Sequence, residues 1–263
     1  MRNDGSRLIT CLIPPFIPIP MKTVFLSFAD SRMYKAVQRL RIQAESMRFF
    51  DEIHVCNEHD LDDSFRSSYG ERMYLGSRGF GYWVWKPYLI RRVFDELMPG
   101  DLLFYCDAGC HWNPAGRWRL EFYAERLREA TCGVMGFQLE VIHPEFRWTK
   151  GDLLDYFAVR GDRNLLLSPQ ICSTHAFFCK NKLSSDFLHQ WQLPYQLDFS
   201  LVDDTPSRSP NFPGFVEHRH DQSIFSILCK RMGAEILSGQ ETYSSRWEDL
   251  MFYPIHDRRS CWR

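Results

Sequence analysis

The chain has 263 residues with a formal net charge of −1, and 44% of them are hydrophobic, 25% charged and 15% aromatic. Such a chain can bury one sizeable core, which excludes the disordered, collagen-like and coiled-coil classes. Its balanced charge lacks the basic excess of a nucleic-acid binder.

Residues 1–20 end in LITCLIPPFIPIP, an apolar stretch broken by four prolines. It is too short to span a bilayer and has no small-residue cleavage site. The expectation is a non-core extension, with a weak membrane-contacting segment as the alternative. From Met21 the pattern alternates. TVFLSFA reads as a strand, and Ser31 to Phe50 has helical spacing with apolar Met33, Val37, Leu40 and Ala44. DEIHVCNE reads as a second strand, followed by a polar stretch through Tyr69 and Gly70. Trp83 to Leu97 suits a helix with Pro87 near its first turn, where the missing N–H is cheap. DLLFYCDAG is the clearest strand, apolar throughout and acidic at its carboxyl end.

The second half predicts a helix from Arg117 to Thr131, a strand over GVMGFQLEVI, a helix from Gly151 to Arg160 and a buried strand over ICSTHAFFCKN. A helix from Ser184 to Leu193, a Pro- and Ser-rich loop over residues 201–216 and a helix from Asp221 to Met232 follow. This βαβ rhythm predicts a single α/β domain over residues 21–263, with a mostly parallel sheet flanked by helices. Ligands of such sheets bind beyond the carboxyl ends of the strands. The nine cysteines include no CxxC pair, and several lie in apolar runs. They read as reduced thiols, buried as small hydrophobes, which predicts a cytoplasmic protein.

Three clusters can carry chemistry. Asp107 at the exit of DLLFYC offers a fixed anionic oxygen to a divalent cation or a ribose hydroxyl, unless it is only a turn residue. SRGFGYWVWKPYLI sets Gly79 and Gly81 among Arg78, Tyr82, Trp83, Trp85 and Lys86. Cations there suit phosphate and rings suit a base or sugar, although a structural tryptophan cluster explains the rings equally well. In EHRHDQSIFSIL, His220 and Asp221 open a helix, where Asp221 either caps it or serves the site at its positive end. His256, beside Arg258 and Arg259, is a fourth candidate, as a metal or phosphate ligand.

The order of SFAD, GFGYWVWKPYLI, GDLLFYCDAGC, EFRWTKGDL, STHAFFCKN, HDQSIFSIL and IHDRR from Met21 onward resembles a bacterial family of glycosyltransferase-like proteins. The GYWVWKP and DAGC pair is the specific part. The resemblance implies a GT-A-like (Rossmann-like) domain that transfers a sugar, of hexosyl type, from a nucleotide-sugar donor in polysaccharide or lipopolysaccharide biosynthesis. It places Asp107 at the first acid of the metal-binding DxD motif, with Mn2+ or Mg2+ as the implied cofactor. The second acid is absent, because Gly109 stands there. Either Asp107 acts with His256, or Lys86 and other basic groups neutralise the diphosphate without a metal. The resemblance also implies a donor pocket of Arg78, Tyr82, Trp85, Lys86, Asp107 and Gln222. It makes Asp221 the catalytic or sugar-positioning carboxylate and His220 the second candidate. Trp148 and Lys150 are further candidates for substrate contact. The acceptor implied is a glycan, free or lipid-linked, handled by a cytoplasmic protein with peripheral membrane association. A non-catalytic nucleotide- or carbohydrate-binding protein of the same fold is the alternative.

Overall fold

A computed structural model describes residues 21–258. The expected extension over residues 1–20, with Cys11, and the tail residues Arg259 and Cys261 lie outside the described residues. The strands are β1 (Thr23–Phe28), β2 (Glu52–Cys56), β3 (Leu102–Cys106), β4 (His111–Trp112), β5 (Val134–Gln138), β6 (Ile171–Cys179), β7 (Glu235–Ser238) and β8 (Ile255–His256). Six of them form one sheet in the order β2-β1-β3-β6-β5-β7, and β4 pairs with β8. β1 runs parallel to β2 and β3, and β5 parallel to β7. β6 runs against both its neighbours. The sheet is therefore mostly parallel and flanked by helices, an α/β domain as the pattern predicts.

Both faces of the sheet are covered, and side-chain alternation divides the core accordingly. Val24, Leu26, Leu103, Tyr105, Ala176 and Phe178 pack with helices Trp85–Asp95, Lys182–Leu197 and Asp221–Met232. Phe25, Leu102, Phe104, Phe177 and Cys179 face helices Tyr34–Met47 and Arg117–Glu129. Central strands buried on both faces read as continuous apolar runs, which is why β1 and β3 stand out in the sequence.

Other elements depart from expectation. The polar stretch before Tyr69 contains a helix, Asp63–Tyr69, whose amino end is capped by Asp62 accepting from the Phe65 amide. Phe65 is its only buried residue, too little apolar periodicity to betray a helix. The helix expected up to Arg160 ends at Tyr156, and Ala158 takes positive φ of 53° just beyond it. The helix after β6 starts earlier and runs through Pro194 to Leu197, because a proline in the last turn removes few backbone bonds. Among the described residues, no helix is long and apolar enough to cross a membrane, and all seven described cysteines are free and buried.

Candidate active site

The carboxyl ends of β1 and β3 open into a cleft of about 550 Å³. Because β6 runs the other way, its early residues Ser173 and Thr174 reach the same edge, where the Thr174 carbonyl accepts from the Asp107 amide at 2.9 Å. Helix Trp85–Asp95 and helix Asp221–Met232 both start at this edge, so their positive ends converge on it.

The floor is an ion cluster. Lys86 in the first turn of its helix is 1% exposed, and its ammonium lies 3.1 Å from Asp107 Oδ1 and 2.9 Å from Asp221 Oδ2. The Ser173 hydroxyl donates to Asp221 Oδ2 at 2.8 Å, and the Tyr105 hydroxyl donates to Asp107 Oδ1 at 2.6 Å. Burial alone would depress the Lys86 pKa, but the two carboxylates override it and hold the lysine above its ordinary value. Desolvation raises Asp107 despite the counteracting lysine. Asp107, whose side chain is 30% exposed, is the most open member of the cluster.

One wall is a left-handed turn. Gly79, Phe80, Gly81, Tyr82 and Trp83 have successive φ values of 56°, 49°, 88°, 55° and 59°. Non-glycine residues rarely adopt this region, and consecutive ones cost about 1–2 kcal/mol each. Several bonds hold the turn: Tyr82 N–H to Arg78 O at 2.7 Å, Trp83 N–H to Gly79 O at 3.2 Å, and the Trp85 indole to Gly79 O at 3.0 Å. Tyr195 donates its hydroxyl to the Tyr82 carbonyl at 2.9 Å. The turn brings the Tyr82 and Trp83 rings to 5.1 and 5.6 Å from the His220 ring. His220 is itself strained, at φ 50° and ψ −119°. A Cβ on Gly79 would stand 2.4 Å from the Trp83 ring. Gly79→Ala is accordingly expected to destabilise the protein by about 2 kcal/mol and to change the tryptophan near-ultraviolet circular dichroism, measured alongside thermal unfolding.

The structure gathers Arg78, Trp85, Lys86, Asp107, His220, Asp221 and Gln222 around one cleft. Trp85 is buried against Phe28, with stacked rings 4.1 Å apart, so it supports the cleft from behind. Tyr82, unlike the other donor-pocket candidates, does not line the cleft: its ring packs against Phe199 and His220, and its hydroxyl donates to Asp204 at 3.1 Å. Arg78 is paired with Asp204 at 3.0 Å and with Glu217 at 3.3 Å. His220 Nδ1 lies 2.6 Å from the Val202 carbonyl and so carries the proton, which leaves Nε2 as an acceptor. Burial lowers its pKa and keeps it neutral.

Three expectations change. His256 does not line the cleft: its Nε2 bonds the Leu250 carbonyl at 2.8 Å and its ring stacks on Trp247, while its neighbour Asp257 reaches the lining. Lys150 is buried and donates to the carbonyls of Ser200, Asp203 and Thr205, so it ties a loop, and Trp148 lies under the Arg219 guanidinium. Neither Lys150 nor Trp148 lines the cleft. Nor is the cleft a positive pocket, since Arg32, Arg78, Lys86 and Arg219 face Asp30, Asp107, Glu217, Asp221 and Asp257. Sequence reasoning did not single out Asp30, Arg32, Tyr105, Ser173 or Glu217, although all but Arg32 lie in the segments SFAD, GDLLFYCDAGC, STHAFFCKN and EHRHDQSIFSIL.

Among the described residues, no group of three or more His, Cys, Asp or Glu side chains is arranged to hold a metal ion. The cleft instead offers the half-buried carboxylate of Asp107, which suits the mode in which Mg2+ takes one or two carboxylates and completes its shell with substrate phosphates and water.

Behind the cluster, His175 on β6 is fully buried, and desolvation, reinforced by Lys86, lowers its pKa to about 3. An unfolded histidine binds its proton near 6.5, so stability is full above that value and falls as pH drops towards 3. The loss is expected at about 1.4 kcal/mol per pH unit. Denaturant titrations at pH 7 and 5 are expected to separate by about 2 kcal/mol more in the wild type than in His175→Phe.

No protein-family model matches the chain, and no curated protein matches it. Among solved structures it is similar to a glycosyltransferase involved in the glycosylation of the major capsid of PBCV-1, with 10% identity, a TM-score of 0.46, and 91% of this chain and 93% of that one covered. It is also similar to the glycosyltransferase GlyE of Streptococcus pneumoniae TIGR4, with 12% identity, a TM-score of 0.48 and coverage of 91% and 55%. A third is mouse xyloside xylosyltransferase 1, with 10% identity, a TM-score of 0.46 and coverage of 90% and 97%.

Proposed function

We propose that the protein transfers a sugar, of hexosyl type, from a nucleotide-sugar donor to a hydroxyl of a cell-surface glycan or lipid-linked glycan. The observation that carries this reading is the Lys86–Asp107–Asp221 cluster on the floor of a cleft beyond the carboxyl ends of β1 and β3. Ligands of open α/β sheets bind at that edge. The resemblance carried by GYWVWKP and DAGC supports the same reading.

In the transfer, an acceptor oxygen forms a bond to the anomeric carbon as the bond from that carbon to the diphosphate oxygen breaks. The nucleoside diphosphate leaves with the electron pair, and the acceptor proton must go to a base. Asp221 and His220 both stand at the helix start. Lys86 and Ser173 occupy Asp221 Oδ2, and His220 Nε2 is buried within the wall, so Asp221, through its other oxygen, is the group placed to take the proton, with His220 behind it. Carboxylates outnumber cations in the lining, so a diphosphate brings further negative charge into a cleft that does not offset it. A divalent cation held by Asp107 and the diphosphate would supply that charge.

Nucleoside diphosphate release from a panel of nucleotide-sugars, run with manganese and with EDTA, tests both points. Release from one donor, lowered by EDTA, is the expected result. A second reading, binding without transfer, is favoured by the missing second acid and the full pairing of Lys86. Calorimetric binding of a nucleoside diphosphate with no release from any donor would establish that reading instead.

A further inference from the structure

Gln222, Ser226 and Lys230 are spaced four residues apart on helix Asp221–Met232 and so share one face. That face meets Glu145, whose side chain is fully buried. Lys230 Nζ lies 2.6 Å from Glu145 Oε2, the Ser226 hydroxyl donates to the same oxygen at 2.5 Å, and the Thr149 hydroxyl donates to Oε1 at 2.6 Å. A carboxylate paired with a lysine accepts hydrogen bonds and donates none.

Gln170, also fully buried, sits between Glu145 and Gln222. Its Nε2 lies 2.8 Å from Glu145 Oε1, 3.1 Å from Thr149 Oγ1 and 3.3 Å from Ser223 Oγ. Because Glu145 cannot donate, that end of the Gln170 amide must be the NH2 group, and its Oε1 must point the other way. Gln170 Oε1 lies 2.8 Å from the Gln222 amide and requires a donor there, so Gln222 turns its own NH2 inward. Neither glutamine could fix its orientation alone; the charge of Glu145 fixes both in turn. What is left over is the Gln222 oxygen. Gln222 is half-buried and lines the cleft, and among the described residues no group donates to its Oε1. Asp221, the residue before it, has the same polarity, since Lys86 and Ser173 both take Oδ2 and leave Oδ1. Hydroxyl groups can donate to such oxygens, whereas phosphate oxygens only accept and are repelled by them.

We infer that Glu145 and Gln170 are positioning residues that hold the Gln222 carbonyl oxygen towards the cleft, and that this oxygen binds a hydroxyl group of the ligand's sugar and not its diphosphate. The word sugar rests on the transfer reading above; the orientation of the amide does not.

The test is calorimetric titration of the whole protein, with manganese present, using UDP, GDP, UDP-glucose, UDP-galactose and GDP-mannose. For a nucleotide-sugar that binds, the ratio of its affinity to that of its nucleoside diphosphate reads the contacts made to the sugar. Gln222→Leu and Gln170→Leu are each expected to lower that ratio about three- to tenfold, the loss of one hydrogen bond, while the nucleoside diphosphate binds within about twofold of the wild type. A merely structural part for Gln170 would weaken both ligands alike or neither. Gln222→Glu supplies a second signature. It still offers an oxygen to the cleft but sets another against Gln170 Oε1, which cannot turn away because Glu145 holds the opposite end. Protonation gives the introduced carboxyl a donor, so its ratio, relative to the wild type at each pH, is expected to recover as pH falls from about 8 to about 5. If Gln170→Leu fails to fold, this pH profile decides. An unchanged ratio in Gln170→Leu, equal losses for both ligands, or a pH-independent Gln222→Glu would overturn the proposal. Failure of every nucleotide-sugar to bind would overturn it together with the transfer reading. The expected ratios without release of nucleoside diphosphate from any donor would retain the subsite and reject transfer alone.

Discussion

Lys86→Met is expected to destabilise the protein by about 3–5 kcal/mol, because it leaves Asp221 buried and charged with no counter-ion. In a protein of this size that loss lowers the melting temperature by roughly 10 °C. Methionine keeps the length of the apolar stem, so lost packing does not account for a loss of that size. Adding Asp221→Asn removes the stranded charge, and the double variant is expected to be more stable than the single one, with a coupling of about 1–3 kcal/mol in a double-mutant cycle. Because the folded lysine has a raised pKa, its contribution is full below about 10.5 and is lost as pH climbs through the higher folded value. Wild-type and Lys86→Met unfolding curves that coincide at neutral pH would show that the cluster carries no stability.

Asp107→Asn is expected to lower donor turnover by about 10²–10³-fold while leaving the fold in place, the scale seen when one preorganised electrostatic contact is removed. Asparagine keeps the shape and can still accept from Tyr105, and Lys86 retains Asp221 as its partner. What disappears is the more open of the two carboxylates of the cluster. Initial rates at saturating donor separate this from a binding defect, since an effect confined to KM would mark Asp107 as a ground-state contact. Turnover equal to the wild type would remove Asp107 from the site.

Much of this architecture is legible in the sequence for a physical reason. β1 and β3 are buried on both faces, so each is an almost wholly apolar run, and the amphipathic helices between them keep their period. The gathering of Lys86, Asp107 and Asp221 follows from strand and helix ends alone. Partnering is what stays hidden. Nothing in WKPYLI says that Lys86 is buried between two carboxylates, because Asp107 and Asp221 come from distant parts of the chain. Nor does a glycine-rich stretch say that its aromatic residues will also turn left-handed; that conformation is held by Trp85 and by Tyr195, far down the chain. His256 misled because a histidine among arginines reads the same whether it faces a ligand or, as here, a carbonyl and an indole.

The reversed course of β6 also governs the order in which the molecule can be completed. Ser173 comes 87 residues after Lys86, and Asp221 a further 48 after that. The parallel strands β1, β2 and β3 can associate on the ribosome as soon as residue 106 has emerged, yet Lys86 then has only Asp107 nearby. Contacts between such distant segments form slowly, because the loops that join them must close first. A chain arrested before residue 221 therefore holds a lysine whose second counter-ion has not yet been made. Its final ion pair reports that nearly the whole domain is present, so truncated products are expected to be more readily cleared by proteases than the finished protein.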